Sequence, residues 1–231
     1  MRLSRVVLTR QNQQAVLQGM IHIGPDKLYK TLQQDLDWAA GNKYQVFFEG
    51  VGKDLPKKSS TSNEDRIRKF FLLIFDLYPV LAGALGVSLQ KEKIAYPKNA
   101  INADVTLAEL TKRLDKNGFR CNFIIWLLTR SSIEQSIRER FAKKGGLNAM
   151  LDNSGKWSVS GLIGWFLFRK ANPIILDYRN EVAMSAIRTH SNGRNIFIHY
   201  GEKHVKGLLK LLQKEEWVVQ KTSYTDLREF C

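Results

Sequence analysis

Cysteine, proline and repeated sequence are all scarce in this chain. Among 231 residues there are two cysteines, Cys121 and Cys231, and five prolines. We find no internal repeat, no low-complexity tract and no linker rich in proline or glycine. These absences exclude a disulfide scaffold, a collagen-like chain and a disordered chain. So few cysteines also fit a reducing compartment.

Long apolar runs are missing as well. The stretch at residues 70–90 is interrupted by Asp76 and Pro79, and those at 121–129 and 157–168 are much shorter than the ~20 residues that span a bilayer. The first residues lack the pattern of a signal peptide. The sequence therefore predicts a cytoplasmic protein without a signal peptide or transmembrane helix, and it leaves peripheral contact with an anionic membrane open.

Basic residues exceed acidic ones. The chain has 36 Lys and Arg against 22 Asp and Glu, a net charge of +14, which favours anionic partners. No helix-turn-helix, RNP, zinc-finger or KH pattern is present, so we do not expect nucleic acid as a partner. A basic adaptor on anionic surfaces stays an alternative, and it would use the helical stripe formed by Lys203, Lys206, Lys210 and Lys214.

The order of apolar patterns predicts an α/β fold. A hairpin at residues 6–17 precedes a strand–helix–strand pattern that ends near residue 48. A helix is expected to begin at Asn63, and Thr106 with Glu109 forms a capping-box pattern. Residues 177–222 read as helix, strand, helix, strand. We therefore expect a mixed, largely parallel sheet with an N-terminal β-hairpin and a helical insertion or cap. A single domain would span 1–231, with its α/β core at 1–55 and 177–231 and a mainly helical insertion at 63–170.

Polar residues follow three of the predicted strands. His22 closes a Gly-x-x-His motif that begins at Gly19, Glu49 follows the second strand, and His204 closes a second Gly-x-x-His motif. Ligands bind at the carboxyl ends of parallel strands. Two histidines and a carboxylate meeting there predict an open site for Zn, Mn, Co or Fe. Alternatively, Glu49 serves as a general base, or the histidines are structural and the glutamate caps a helix.

These motifs, in this order, resemble the TraB/GumN/Tiki family. The matching stretches include Met20-Ile21-His22, Glu49-Gly50-Val51, Tyr96, Asn102-Ala103-Asp104, Arg179-Asn180 with Met184, and His204 with Gly207. They cover about the first and last 55 residues and a short central segment. The resemblance implies an α/β fold with helical insertions, related to the erythromycin esterase and ChaN-like group.

The resemblance also implies an activity and a set of site residues. Some members of the family are metal-dependent peptidases, so it implies metal-dependent, peptidase-like hydrolysis of a peptide or protein. Mn, Co or Zn would be the metal. His22, Glu49 and His204 would be the metal-binding and catalytic residues. The substrate would be contacted by Arg179, Asn180, Tyr96 and Asp104.

Two departures from the family pattern bear on activity. Met20 stands where the family has threonine, and the bulky pair Glu202-Lys203 stands where it has small residues. If that pair fills the crevice, a non-enzymatic binding or regulatory module for a peptide or haem is favoured. The sequence leaves open whether the protein is an enzyme, and it does not give the oligomeric state.

Overall fold

A computed structural model describes residues 2–52, 61–122, 139 and 171–230. The chain divides into two compact units. The first comprises Met1–Val51, Gln90–Val105 and Leu176–Cys231, and the second comprises Gly52–Leu89 and Thr106–Ile175. Residues 90–105, inside the segment predicted as a helical insertion, thus belong to the first unit. Most of that segment beyond residue 122 lies outside the described residues.

The elements follow one another in nearly the predicted order. The strands are β1 (Arg2–Arg10), β2 (Gln13–Met20), β3 (Ile23–Gly24), β4 (Gln45–Phe48), β5 (Ser88–Leu89), β6 (Ile101–Asn102), β7 (Ile196–Gly201) and β8 (Val218–Asp226). The helices are α1 (Asp26–Gly41), α2 (Ser62–Leu85), α3 (Gln90–Lys93), α4 (Leu107–Lys116), α5 (Arg179–His190) and α6 (Glu202–Lys214). A π-helical turn, Pro173–Tyr178, precedes α5, and a 3-10 helix, Leu227–Phe230, follows β8.

The first unit contains a six-stranded mixed sheet in the order β6-β4-β7-β2-β1-β8. The pairs β6–β4, β4–β7 and β7–β2 are parallel, whereas β1 pairs antiparallel with both β2 and β8. The predicted α/β fold, the largely parallel sheet and the N-terminal hairpin are therefore confirmed. The sheet brings the carboxyl ends of β2, β4, β6 and β7 to one edge.

Apolar side chains on one face of the sheet form the main core of the first unit. Alternate residues of β7, Ile196, Ile198 and Tyr200, point to this face, where α5 and α6 pack. The helices contribute residues at helical spacing. The buried members are Ala183, Met184, Ile187, Val205, Leu208 and Leu212. Because both helices are held by this packing, the polar residues in their first turns have fixed positions.

The second unit contains α2 and α4, and side chains define where both helices begin. Thr106 and Glu109 form the predicted capping box of α4. α2 begins at Ser62, one residue before the predicted Asn63, and its N-cap is Thr61, whose hydroxyl accepts from the Glu64 N–H at 3.0 Å. Asn63 instead donates to the Phe119 carbonyl at 3.1 Å. Within the described residues, no helix combines the length and apolar character needed to cross a membrane.

Candidate active site

Three side chains predicted to form a site meet at the carboxyl edge of the sheet. His22 follows β2, Glu49 follows β4 directly, and His204 lies in the first turn of α6, just after β7. The Nε2 atoms of His22 and His204 lie 3.9 and 3.7 Å from the same oxygen, Glu49 Oε1. The structure therefore brings together residues that are 27 and 155 positions apart in the chain.

Glu49 is buried and held at both oxygens. Its Oε1 accepts from Arg179 Nη2 at 2.6 Å, and its Oε2 accepts from the Gly201 backbone N–H at 2.5 Å. Burial alone would raise the pKa of Glu49. The charge of Arg179, those of His204 and His22 when these rings are protonated, and the Gly201 N–H together outweigh burial and hold this pKa below its usual value. Glu49 is therefore an anion at neutral pH.

Arg179 joins Glu49 to a second carboxylate, Asp104. Its Nε and Nη2 donate to the two oxygens of Asp104 at 2.9 and 2.6 Å, a fork-shaped pair that fixes the guanidinium plane. Burial would lower the pKa of Arg179, but the hydrogen bonds and charges of Asp104 and Glu49 raise it above its usual value. When all three ionise, this buried group carries one net negative charge.

Both histidines are fixed by side-chain amides. His22 Nδ1 lies 3.0 Å from Gln90 Oε1, and His204 Nδ1 lies 2.8 Å from Asn180 Oδ1. An amide oxygen only accepts hydrogen bonds, so with the amides in this orientation each Nδ1 carries a hydrogen. In a neutral ring, Nε2 then presents its lone pair near the Glu49 carboxylate.

The two histidines differ in exposure. The His22 side chain is 44% exposed, whereas that of His204 is 5% exposed. Burial lowers the pKa of His204, and the attraction of Glu49 only partly offsets this effect. His204 is thus neutral at neutral pH, and His22 is the imidazole that solvent reaches.

Three glycines make room for this arrangement. A Cβ on Gly201 would lie 2.7 Å from Glu49 Oε2, and one on Gly207 would lie 2.1 Å from Asn180 Nδ2. A Cβ on Gly19 would lie 2.0 Å from Glu202 Oε2. Each first glycine of the Gly-x-x-His motifs therefore lies against a carboxylate, and Gly207 admits the amide that holds His204.

Glu202 has a structural partner at the end of β7. Its two oxygens accept from the backbone N–H and the hydroxyl of Ser4, on β1, at 2.8 and 2.5 Å. The neighbouring Lys203 is exposed to solvent. The Glu202 carboxylate is thus directed at β1. This contact does not favour the prediction that Glu202 and Lys203 fill the crevice.

The remaining predicted site residue, Tyr96, belongs to a hydrogen-bonded network. Its ring stacks on Phe48 with centroids 4.0 Å apart, and its hydroxyl contacts Gln90 Nε2 and His199 Nδ1, each at 3.0 Å. No sequence pattern indicates Gln90, because it lies 68 residues from His22 and belongs to no motif. Contact of the substrate with Tyr96, Asn180, Arg179 or Asp104 stays a prediction.

The predicted metal centre was compared with this geometry. Two imidazole nitrogens and a carboxylate suit a transition metal chemically. However, the carboxylate oxygen nearest both nitrogens already accepts from Arg179, whose positive charge opposes a metal cation. Within residues 2–52, 61–122, 139 and 171–230, no group of three or more His, Cys, Asp or Glu could hold a metal ion. As placed, these residues do not fit a metal, and the metal stays a prediction.

Comparison of the chain with protein-family models, curated proteins and solved structures finds no match. The resemblance to the TraB/GumN/Tiki family therefore stays a prediction.

Removing the Arg179 charge should strongly destabilise the fold. In Arg179→Met, Glu49 and Asp104 lose their shared partner, and we expect a loss of about 3–5 kcal/mol in the free energy of unfolding. The matched control is Arg188→Met, also on α5, where the partner is Glu215 and the arginine side chain is 54% exposed. It should cost at most ~1 kcal/mol. Urea unfolding measures both, and similar losses would contradict the central role of Arg179.

Gly207→Ala should displace Asn180 from His204. The new methyl group would overlap the Asn180 amide, so we expect a net loss of about 1–3 kcal/mol in the free energy of unfolding. Gly83→Ala is the control, because it lies within α2 and its Cβ would have no neighbour within 4 Å. That variant should gain up to ~1 kcal/mol. Equal gains in urea unfolding for both variants would disprove the close approach of Asn180.

His199 should make stability depend on pH. Complete burial lowers its pKa in the folded protein to about 4, against ~6.5 for histidine in an unfolded chain. Between these values the unfolded chain binds a proton that the folded chain does not, so stability falls as pH falls, by up to about 1.4 kcal/mol per unit. His199→Gln should lower the slope by that amount, and His190→Gln, at an exposed position, should not. Identical slopes in urea unfolding would refute this.

Proposed function

We propose that this protein hydrolyses an ester or amide bond at the site formed by His22, Glu49 and His204. One observation carries the proposal. Two imidazoles, each held at Nδ1 by an amide, direct their Nε2 atoms towards one oxygen of an anchored, ionised carboxylate. A site with a proton acceptor beside a fixed negative charge suits activation of water.

The spacing of His22 and Glu49 suits one water molecule. At 3.9 Å the two atoms are too far apart for a direct hydrogen bond. A water between them would donate one hydrogen to His22 Nε2 and the other to Glu49 Oε1. Both lone pairs of that water would stay free, and a substrate carbonyl would approach it from the exposed side of His22.

In the proposed reaction, His22 transfers one proton twice. The water oxygen attacks the carbonyl carbon while His22 Nε2 takes a proton from the water, which gives a tetrahedral intermediate and an imidazolium. The bond to the leaving oxygen or nitrogen then breaks, and the imidazolium returns its proton to that atom. Glu49 stays ionised throughout and stabilises the imidazolium by its charge.

His204 has a different role in this proposal. Its side chain is nearly buried, whereas that of His22 is nearly half exposed. We assign proton transfer to His22 for that reason. His204 Nε2 lies 3.7 Å from Glu49 Oε1, and its nearly buried ring limits where a water can sit.

Metal-dependent, peptidase-like hydrolysis by the same residues stays a prediction from sequence. The amide contacts at Nδ1 favour it, because proteins hold metal-binding histidines in this way. A peptide or protein substrate, peripheral contact with an anionic membrane and a cytoplasmic location likewise stay predictions. The exposed lysines of the α6 stripe support the basic adaptor as the alternative, and that function would not use the histidines.

The experiment is a hydrolysis screen with chromogenic esters and peptide amides, on wild type, His22→Gln and His190→Gln. We expect wild type to hydrolyse at least one ester or amide class. His22→Gln should lower kcat by about 10²–10⁴-fold, with the exposed His190→Gln as the unchanged control. Absence of hydrolysis by wild type, or equal rates in all three proteins, would overturn the proposal.

Elemental mass spectrometry separates the metal-free from the metal-dependent form. Wild type, His22→Ala and His204→Ala would be loaded with Mn, Co and Zn and then desalted. Activity that survives a chelator, with negligible metal in all three proteins, supports the metal-free reaction. Near-stoichiometric metal in wild type alone, together with activity lost to the chelator, supports the metal-dependent one.

A further inference from the structure

Four side chains of the first unit form a continuous hydrogen-bonded chain that ends at His22. His22 Nδ1 contacts Gln90 Oε1, Gln90 Nε2 donates to the Tyr96 hydroxyl, and that hydroxyl contacts His199 Nδ1, each at 3.0 Å. Gln90 also donates its backbone N–H to the His22 carbonyl at 2.9 Å. Gln90 thus holds both the backbone and the ring of His22.

The direction of this chain depends on the Gln90 amide. An amide group can rotate by half a turn, which exchanges its oxygen and its NH₂ group. The oxygen faces His22 only when the NH₂ group has an acceptor on the other side. That acceptor is the Tyr96 hydroxyl oxygen, so the single hydrogen of Tyr96 must point elsewhere.

His199 is the acceptor for the Tyr96 hydroxyl hydrogen. Its Nδ1 lies on the far side of Tyr96 and accepts the hydroxyl hydrogen only if Nδ1 is unprotonated, so the ring hydrogen of His199 lies on Nε2. The ring is fully buried. Because burial lowers its pKa to about 4, His199 stays a neutral acceptor at neutral pH.

The burial of His199 costs stability. In the part of the chain that the structure describes, its Nε2 has no hydrogen-bond partner, and an unpaired buried N–H is unfavourable. His199 lies in β7, between Phe48 of β4 and Gln18 of β2, where an apolar side chain would avoid that cost. A phenylalanine or leucine at this position would lack the acceptor, Nδ1, that His199 offers to the Tyr96 hydroxyl.

We propose that His199, Tyr96 and Gln90 are positioning residues that fix His22 in the Nδ1–H tautomer and thereby aim its Nε2 lone pair at Glu49. The polarity runs in one direction. His199 accepts from Tyr96, Tyr96 accepts from Gln90, and Gln90 accepts from His22. The consequence for catalysis rests on the proposed function, whereas the tautomers of the two histidines do not.

The direction of these hydrogen bonds can be tested on the wild-type protein alone. Nitrogen-15 NMR of the labelled full chain distinguishes the two ring nitrogens of each of its four histidines, assigned by single substitutions. The spectrum would be recorded near pH 8, above the ~6.5 of ordinary histidine. We expect Nδ1–H for His22 and the opposite tautomer, Nε2–H, for His199. Nε2–H at His22, or Nδ1–H at His199, would overturn the proposal.

Gln90→Met tests the contact with His22. This change removes the amide oxygen, and we expect the ratio of Nδ1–H to Nε2–H at His22 to fall about 5- to 10-fold. His204 is the control within the same spectrum, because Asn180 holds it separately, so its tautomer should not change. An unchanged ratio at His22 in a folded Gln90→Met protein would overturn the proposal.

Two further variants separate positioning from general damage to the loop. Tyr96→Phe removes the acceptor that orients the Gln90 amide, so the Nδ1–H fraction of His22 should fall. Gln33→Met is the matched control, because Gln33 makes two hydrogen bonds to Ala95, the residue beside Tyr96, at 2.8 and 3.1 Å. It should leave the His22 ratio unchanged, and an equal fall in both variants would contradict the proposal.

These outcomes are distinguishable from failure of the proposed function. If the protein shows the expected tautomers but no hydrolase activity, the positioning proposal is supported and the proposed reaction is not. If the protein is a hydrolase but His22 is in the Nε2–H tautomer, the proposed reaction site is supported and the positioning proposal is contradicted. Where both hold, Gln90→Met should lower kcat and leave KM nearly unchanged, because the ring stays in place and loses only the direction of its lone pair.

Discussion

The ion pairs of Arg179 with Glu49 and Asp104 hold this site together. Glu49 follows β4, Asp104 follows β6 and Arg179 begins α5, so one guanidinium joins two neighbouring strand ends to a helix. Without that charge, burial would push a carboxylate towards its protonated form. With it, Glu49 stays ionised beside two imidazoles. The chemistry of the sheet edge therefore depends on a cation that itself has little contact with solvent.

The two histidines place their Nε2 atoms 3.9 and 3.7 Å from this anion and are supported in different ways. Asn180, the residue after Arg179, holds His204, so one helix turn supplies both the cation and an amide. Gln90 holds His22 from a separate segment, and its orientation depends on Tyr96 and His199. The second arrangement involves three side chains, because Gln90 contacts Tyr96 and Tyr96 contacts His199. The result is the same at both rings, an Nε2 lone pair directed at Glu49 Oε1.

Much of the fold and the centre of the site could be predicted from the sequence, because their signals are local. Two short apolar runs on either side of a polar turn indicated the hairpin, and polar residues at strand ends indicated His22, Glu49 and His204. The supporting residues could not be predicted in the same way. Gln90 is an ordinary glutamine in sequence, and only the path of the chain brings it to His22. His199 belongs to no motif, and its contribution comes from one nitrogen that faces Tyr96. The exchange of Asn63 for Thr61 as N-cap has the same origin, since a contact with Phe119 occupies the Asn63 side chain.

The cluster of hydrogen-bond acceptors at this edge of the sheet limits what can bind there. Two imidazole lone pairs and a carboxylate oxygen face one another, and Arg179 is already shared between two carboxylates. Acceptors arranged in this way repel one another unless a hydrogen or a positive charge lies between them. A water with two hydrogens meets this requirement, and so would a cation that displaced the Arg179 contact from Glu49. A neutral group without hydrogens to donate would not. Because His22 is the exposed member of the set, the occupant must enter on its side, where the tautomer fixed by Gln90 determines whether a hydrogen is accepted.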